Sequence, residues 1–357
     1  MVASVHYPVM IKVYIDLLPD VPYIPLLYPN LGIQERGSIM FLNRAFGGLK
    51  HHLVDIVDSP EKADYILLPH NYSSLKGQNS YVIKQESLAK KLGKKLIIFW
   101  HGDSDAPITN DNAIVFRTSQ YRSNLQKNEV MMSAYAEDLL EGQLQLREKH
   151  PGKPVIGFCG WADYKNFKNH IGTVVKNSLI EASGIVGIHR DARVKGITYR
   201  MKEIKHLKQS GVIEPNFIIR SSYSGHTSTI KTDPKQARRE YIDNLLSSDY
   251  ALIIKGDGNY SYRFYEALSL GRIPVLLDTE CVLPLEDVIN YDEFIVRVPY
   301  WDIYLLDRIV AEHYSRISGE DFVAMQKKAR EVFEKYLRVD SFLSYAVNHS
   351  LPAKLHG

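Results

Sequence analysis

The chain has 357 residues, 45% of them hydrophobic and 24% charged, and its basic and acidic side chains leave a formal net charge of +3. Such a composition excludes wholesale disorder, and so balanced a charge argues against a protein that grips nucleic acid through a strong basic face. Two cysteines, Cys159 and Cys281, are too few for a disulfide framework or a cysteine-rich zinc site and point to a reducing compartment.

At about 150 residues per domain, the length predicts two domains. Short apolar, β-branched runs predict strands at Ile11–Ile15, Val54–Val57, Tyr65–Leu68, Leu96–Trp100 and Ile114–Arg117. A second series follows at Val155–Cys159, Phe217–Arg220, Tyr250–Ile254, Pro274–Leu277 and Phe294–Val298. Each run is continuous rather than alternating, as in strands covered on both faces. Between them the patterning predicts helices at Ser38–Leu49, Tyr81–Leu92, Met131–Glu148, His170–Ala182, Tyr199–Gln209, Pro234–Leu246 and Tyr262–Leu270. Alternating strands and helices predict parallel α/β sheets.

Beyond Asp302 the chain reads as helical. In Ser318–Leu337 the acidic Glu320 and Asp321 come early and the basic Arg330 and Lys335 late, which suits the helix dipole. The prolines and glycine of 150–154 mark the domain boundary and a hinge. The expected organisation is an N-terminal α/β unit (1–150), a C-terminal one (151–330) and a helical tail (331–357) packing back on the first. No apolar run is long enough to cross a membrane and no secretory leader is evident, so a cytoplasmic location is expected.

The most informative stretch is Asp249–Glu280. A strand ends in the turn Lys255-Gly256-Asp257-Gly258-Asn259, and a helix opens near Ser261 and closes at Gly271. Glycines let backbone approach a ligand, and the free N–H groups of a helix start favour phosphate. Ser261 either caps the helix or donates to a phosphate oxygen. Arg263 suits a diphosphate, and Glu266, on the same helix face, suits ribose hydroxyls. Tyr260 or Tyr262 would hold the nucleoside. Alternatively, the turn only joins strand to helix and Arg263–Glu266 is a plain ion pair. Neither a Walker A loop nor a dinucleotide fingerprint is present.

These residues resemble the exostosin family of glycosyltransferases. The likeness is carried by Arg239…Leu245…Ser248-Asp249-Tyr250, then Gly258-Asn259-Tyr260-Ser261-Tyr262-Arg263-Phe264-Tyr265-Glu266-Ala267-Leu268, Ile273-Pro274-Val275, Leu283-Pro284 and Ile289-Asn290-Tyr291. A smaller match covers Ser59–Pro69. The resemblance implies a GT-B fold, in which two Rossmann-like domains with parallel sheets face a cleft. It also implies transfer of a sugar, with inversion, from a nucleotide diphosphosugar (UDP-sugar expected) to a hydroxyl of a glycan or glycoprotein. It assigns Arg263 to the diphosphate and Glu266 to the ribose. Animal and plant members usually carry an N-terminal membrane anchor, and none is read here.

Ligands of open α/β sheets sit beyond the strand carboxyl ends. Three other strand ends therefore enter as candidates. After Leu96–Trp100 come His101, Asp103 and Asp105. The two aspartates are candidates for the base that takes the acceptor proton, with His101 a third option on the acceptor side. Capping of the next segment comes next after the base role, and an Asp-x-Asp metal site last. Because phosphate-binding groups already lie at 256–266, no metal or other cofactor is expected. Gly160 and Trp161, Arg190, and Arg220 with Ser221 are further donor-side candidates, and Arg117 an acceptor-side one. For each arginine a packing role is the alternative. The basic, aromatic 163–169 stretch reads as a solvated loop rather than a nucleic-acid contact, and the 23 tyrosines as packing or sugar-facing rings. Two other functions stay open: a non-catalytic glycan- or nucleotide-binding subunit, and an epimerase, against which the missing fingerprint counts.

Overall fold

The computed structural model describes residues 10–35, 42–163 and 191–353. The predicted helix His170–Ala182, the start of Ser38–Leu49 and Arg190 lie outside the described residues.

Among the described residues eleven strands form two sheets. The first contains β1 (Ile11–Tyr14), β2 (Val54–Ile56), β3 (Tyr65–Leu67), β4 (Leu96–Trp100), β5 (Ala113–Arg117) and β6 (Glu129–Met131), in the order β2-β1-β3-β4-β5-β6. The second contains β7 (Val155–Trp161), β8 (Glu214–Arg220), β9 (Tyr250–Ile253), β10 (Ile273–Asp278) and β11 (Val296–Pro299), in the order β11-β10-β9-β7-β8. Every pairing is parallel. This is the expected GT-B architecture of two parallel-sheet α/β halves with a helical C-terminal region.

The continuous apolar runs are explained by cover on both faces. Ile97 and Phe99 of β4 point into a large core that continues into the second half. Leu96, Ile98 and Trp100 point the other way, onto Tyr81 and Ala89 of helix α1 (Asn79–Lys91). In the second half, α2 (Gly196–Leu207), α3 (Pro234–Leu246) and α4 (Tyr262–Ser269) flank the sheet. The tail runs through α5 (Leu306–Arg316), α6 (Gly319–Val332), a π turn at Phe333–Leu337 and α7 (Val339–Tyr345). Ser318 caps α6 by accepting from the Asp321 N–H at 3.0 Å, and the expected charge order follows. Among the described residues no helix is long and apolar enough to cross a membrane.

One predicted element is corrected. Met131–Glu148 is not a helix: its first residue ends β6, and the chain then runs irregularly across to the second sheet. Gly142 has φ +84°, a left-handed conformation no α-helix contains. Backbone donors find tertiary partners instead. Leu139 N–H donates to Ser269 Oγ at 3.1 Å and Arg147 N–H to Gln326 Oε1 at 2.9 Å. Glu137 is gripped by both Arg238 terminal nitrogens at 2.7 and 2.8 Å, and Asp138 by Arg330. Helix propensity is a weak term beside such contacts.

Candidate active site

The loop after β4 meets the glycine turn after β9 across the cleft. A β-carbon on Gly258 would sit 2.7 Å from Asp103 Cα and 3.0 Å from Ser119 Oγ, so only glycine allows this approach. The Gly258 N–H and the Tyr260 hydroxyl stabilise the charged Asp103 carboxylate. Burial and the neighbouring Asp257 charge outweigh them and hold it above the usual carboxylate range. His101 stacks on Tyr135 at 4.1 Å, and its Nε2 lies 3.2 Å from the Tyr262 hydroxyl and 3.3 Å from the Tyr135 N–H.

Arg263, in the first turn of α4, lies over the Phe158 ring at 4.2 Å, and one terminal nitrogen donates to the Cys159 carbonyl at 2.7 Å. Gly160 makes the room: a β-carbon there would strike that same nitrogen. Arg263 Nε is buried without a partner, and among the described residues its guanidinium has no carboxylate ion pair. Arg200, on α2, is in the same condition. It donates to the Lys255 carbonyl at 2.6 Å, and its Nε too is buried and unpartnered. Burial and then the nearby Arg263 cation pull Arg200 down to about 10. The Asp257 charge opposes that fall, but no carboxylate pairs directly with either guanidinium among the described residues, so the two neighbouring arginines form a receptor for a polyanion.

Glu266 accepts from the Tyr241 hydroxyl at 2.6 Å, and burial raises its carboxyl against the opposing effects of Tyr241 and Arg263. Tyr223 feels the charges of Glu266, Arg263, Asp103 and Arg200 together, so it stands among them. Ser261 takes the N-cap position of α4 with no side-chain capping bond, which leaves its hydroxyl available.

Several expectations need correction. The amides of the glycine turn are used by the protein itself: Gly256 N–H donates to the Tyr260 carbonyl and Asn259 N–H to Ser119 Oγ, both at 2.9 Å. Asn259, 2% exposed, is no donor-binding group, because its side chain ties the Gln120 carbonyl to Thr279. Lys255 is buried too. Its ammonium donates to Tyr121 Oη and the Ala192 carbonyl, and burial drops it to about 7.

Arg117 is 0% exposed and does not reach an acceptor. It pairs with Glu129 and donates to the Ser104, Ala106 and Ser119 carbonyls, so it braces the Asp103 loop from behind. Arg220 is already occupied, pairing with Glu240 and bonding Thr232, with half-buried Ser221 following it. Asp105 pairs with Arg193 at 2.5 Å, so a carboxylate offered as a base is occupied. Trp161 donates from its indole to the Asp163 carbonyl. The structure therefore brings together Asp103, His101, Gly160, Gly258, Tyr260, Ser261, Tyr262, Arg263 and Glu266.

Sequence reading missed Arg200, Tyr241 and Tyr223. Arg200 lies on an ordinary amphipathic helix far from the glycine turn in sequence, and no local pattern marks it.

A family model for the exostosin GT47 domain matches residues 197–313. This part of the chain is exostosin-like. It contains Arg200, Arg263 and Glu266 and ends before most of the tail, while Asp103 lies outside it. "Exostosin-1 homolog" of Caenorhabditis elegans is 28% identical over 101 residues, covering 28% of this chain and 25% of that protein. "Exostosin-1" of Drosophila melanogaster is 31% identical over 99 residues, covering 28% of this chain and 12% of that protein. The chain thus matches no more than about a quarter of either relative's length. A solved structure titled "Crystal Structure of TarM" is similar at a TM-score of 0.31 and 11% identity, over 71% of this chain and 55% of that one. The similarity of this part of the chain is thus to a glycosyltransferase family.

Proposed function

We propose that the protein transfers a sugar, with inversion, from a nucleoside diphosphate sugar (a UDP-sugar) to a hydroxyl of a glycan acceptor. The observation that carries this reading is the pair of guanidiniums, Arg200 and Arg263, that have no ion pair among the described residues, next to the glycine turn that Asp103 reaches from the opposite sheet.

In this reading the diphosphate lies against Arg263 and Arg200, the Ser261 hydroxyl and the first-turn amides of α4. These fixed donors stabilise the charge that grows as the sugar–phosphate bond breaks. Glu266, oriented by Tyr241, receives ribose hydroxyls. The acceptor hydroxyl approaches from the first half and gives its proton to Asp103, whose raised affinity for a proton suits a base. Because arginines supply the neutralising charge, the step runs without a divalent metal.

The test is a panel of UDP-, GDP- and CDP-sugars scored by thermal shift and by transfer to oligosaccharides, with and without EDTA. One donor class raises the melting temperature and is transferred with EDTA present. Asp103→Asn keeps donor binding and loses transfer. Binding without transfer to any acceptor would instead favour a non-catalytic subunit, and loss of transfer in EDTA would reject the metal-free step.

A further inference from the structure

All pairings in the first sheet are parallel, so the loops after β1, β3 and β4 leave from one edge. That edge carries Asp103. The loop after β1, residues 15–24, is fastened by one side chain from the loop after β3. Leu18 N–H donates to His70 Nε2 at 2.9 Å, and His70 Nδ1 lies 3.2 Å from the Pro22 carbonyl. Ile24 N–H donates to the Pro69 carbonyl at 2.8 Å, and Tyr23 bridges to His70 itself. The imidazole is 0% exposed. One ring nitrogen accepts while the other faces a carbonyl, so the neutral ring with its hydrogen on Nδ1 satisfies both contacts.

The next residue reaches the catalytic side. Asn71 Oδ1 accepts from the His101 N–H at 2.9 Å, and Asn71 Nδ2 donates to the His101 carbonyl at 2.9 Å. His70-Asn71 therefore joins the 15–24 loop to the segment that bears Asp103.

We propose that His70 is a proton-operated clasp: neutral, it holds the 15–24 loop closed on the first sheet, and protonated, it releases that loop and slackens the His101–Asp103 segment through Asn71. A proton on Nε2 would set two donors, the imidazolium and the Leu18 amide, against each other. The Leu18 N–H would then lose its acceptor on the ring. Of the loop's two carboxylates, Asp16 and Asp20, it is Asp16 whose charge acts on His70, and its oxygen is shared by Lys84 at 2.8 Å and Gln85 at 2.9 Å of α1. Tyr81, whose ring lies 6.1 Å from His70, donates to the Asp16 carbonyl at 2.5 Å. Burial holds His70 below its ordinary value, while the Pro22 and Val21 carbonyls and the Asp16 charge oppose it. The clasp therefore opens only below the usual histidine range.

Hydrogen exchange of the full chain between pH 8 and pH 5, corrected for intrinsic rates, tests this directly. Protection of residues 15–24 falls by about tenfold between pH 7 and pH 5 while β4 stays protected. His70→Gln, which cannot titrate, removes that pH dependence. The proposal is overturned if the wild-type loop keeps its protection until β4 also exchanges, or if His70→Gln shows the same pH dependence. Should the variant fail to fold, imidazole and amide NMR of the wild type decides: His70 and the Leu18 amide titrate with one midpoint, or the clasp is wrong. Only the effect on transfer rests on the function proposed above. The exchange readout stands or falls without it.

Discussion

Gly258 lies so close to Asp103 that a side chain of any kind on the glycine would push the aspartate aside. The two residues come from different sheets, so this contact sets the width of the cleft where the donor and acceptor sides meet. Gly258→Ala is therefore expected to destabilise the protein by about 1–3 kcal/mol, as overpacking does. It should lower turnover as well. Gly211→Ala, where an added β-carbon meets nothing within 4 Å, serves as the control and should leave both unchanged. Urea titrations and initial rates on the two variants check this.

Arg117 is buried against Glu129 and braces the loop that carries Asp103. Removing one partner of a buried ion pair leaves the other charge unpaired, so Arg117→Ala should cost about 3–5 kcal/mol. Glu129→Ala should cost as much, and the double variant less than the sum. A double-mutant cycle by chemical denaturation measures the coupling.

Glu203, on the helix that carries Arg200, is 0% exposed and neither carboxyl oxygen has a partner. Burial and the nearby Asp307 charge push its carboxyl up to about 8. The folded state thus binds the proton more tightly than the unfolded chain. Its stabilising effect is complete below the unfolded value of about 4.3 and is lost as pH rises through the folded value, at about 1.4 kcal/mol per pH unit. Glu203→Gln, which has no charge to bury, should be close to wild type at pH 4 and more stable at pH 8. Unfolding free energies at those two values give the sign.

The fold was largely legible because its strands are buried on both faces. Runs such as Leu96–Trp100 announce themselves by apolar continuity alone, and the charge order after Ser318 marks its helix. What misled was tertiary. The 132–150 crossing looks helical in isolation, but Gly142, Ser269 and Gln326 fix another path. β6 is only three residues long and hid at the start of that supposed helix. At the candidate site, the turn, Arg263, Glu266 and Asp103 could be read from local pattern. Arg200 could not, because its importance lies in its tertiary neighbour Arg263 and in an Nε buried without a partner. Arg117, Arg220 and Asn259 misled in the opposite sense: strand ends carry bracing groups as readily as ligand contacts, and partners such as Glu129, Glu240 and Thr279 are remote in sequence.

Gly160 makes room for the guanidinium of Arg263. Gly160→Ala should therefore weaken donor binding without touching any ligand itself, by displacing the arginine from the Phe158 ring. Arg263→Lys should not rescue Arg263→Ala fully, since a single ammonium cannot reproduce paired hydrogen bonds to a diphosphate. Calorimetric affinities for the active donor would rank wild type first, with Gly160→Ala and Arg263→Lys between it and Arg263→Ala.

The most direct measurement is the affinity for the nucleoside diphosphate itself in wild type, Arg200→Ala, Arg263→Ala and the double variant. If the two arginines grip one diphosphate, each single variant loses about 2–4 kcal/mol of binding, and the double loses less than the sum. Wild-type affinity in Arg263→Ala, or additive effects of the two substitutions, would contradict a shared anion between them.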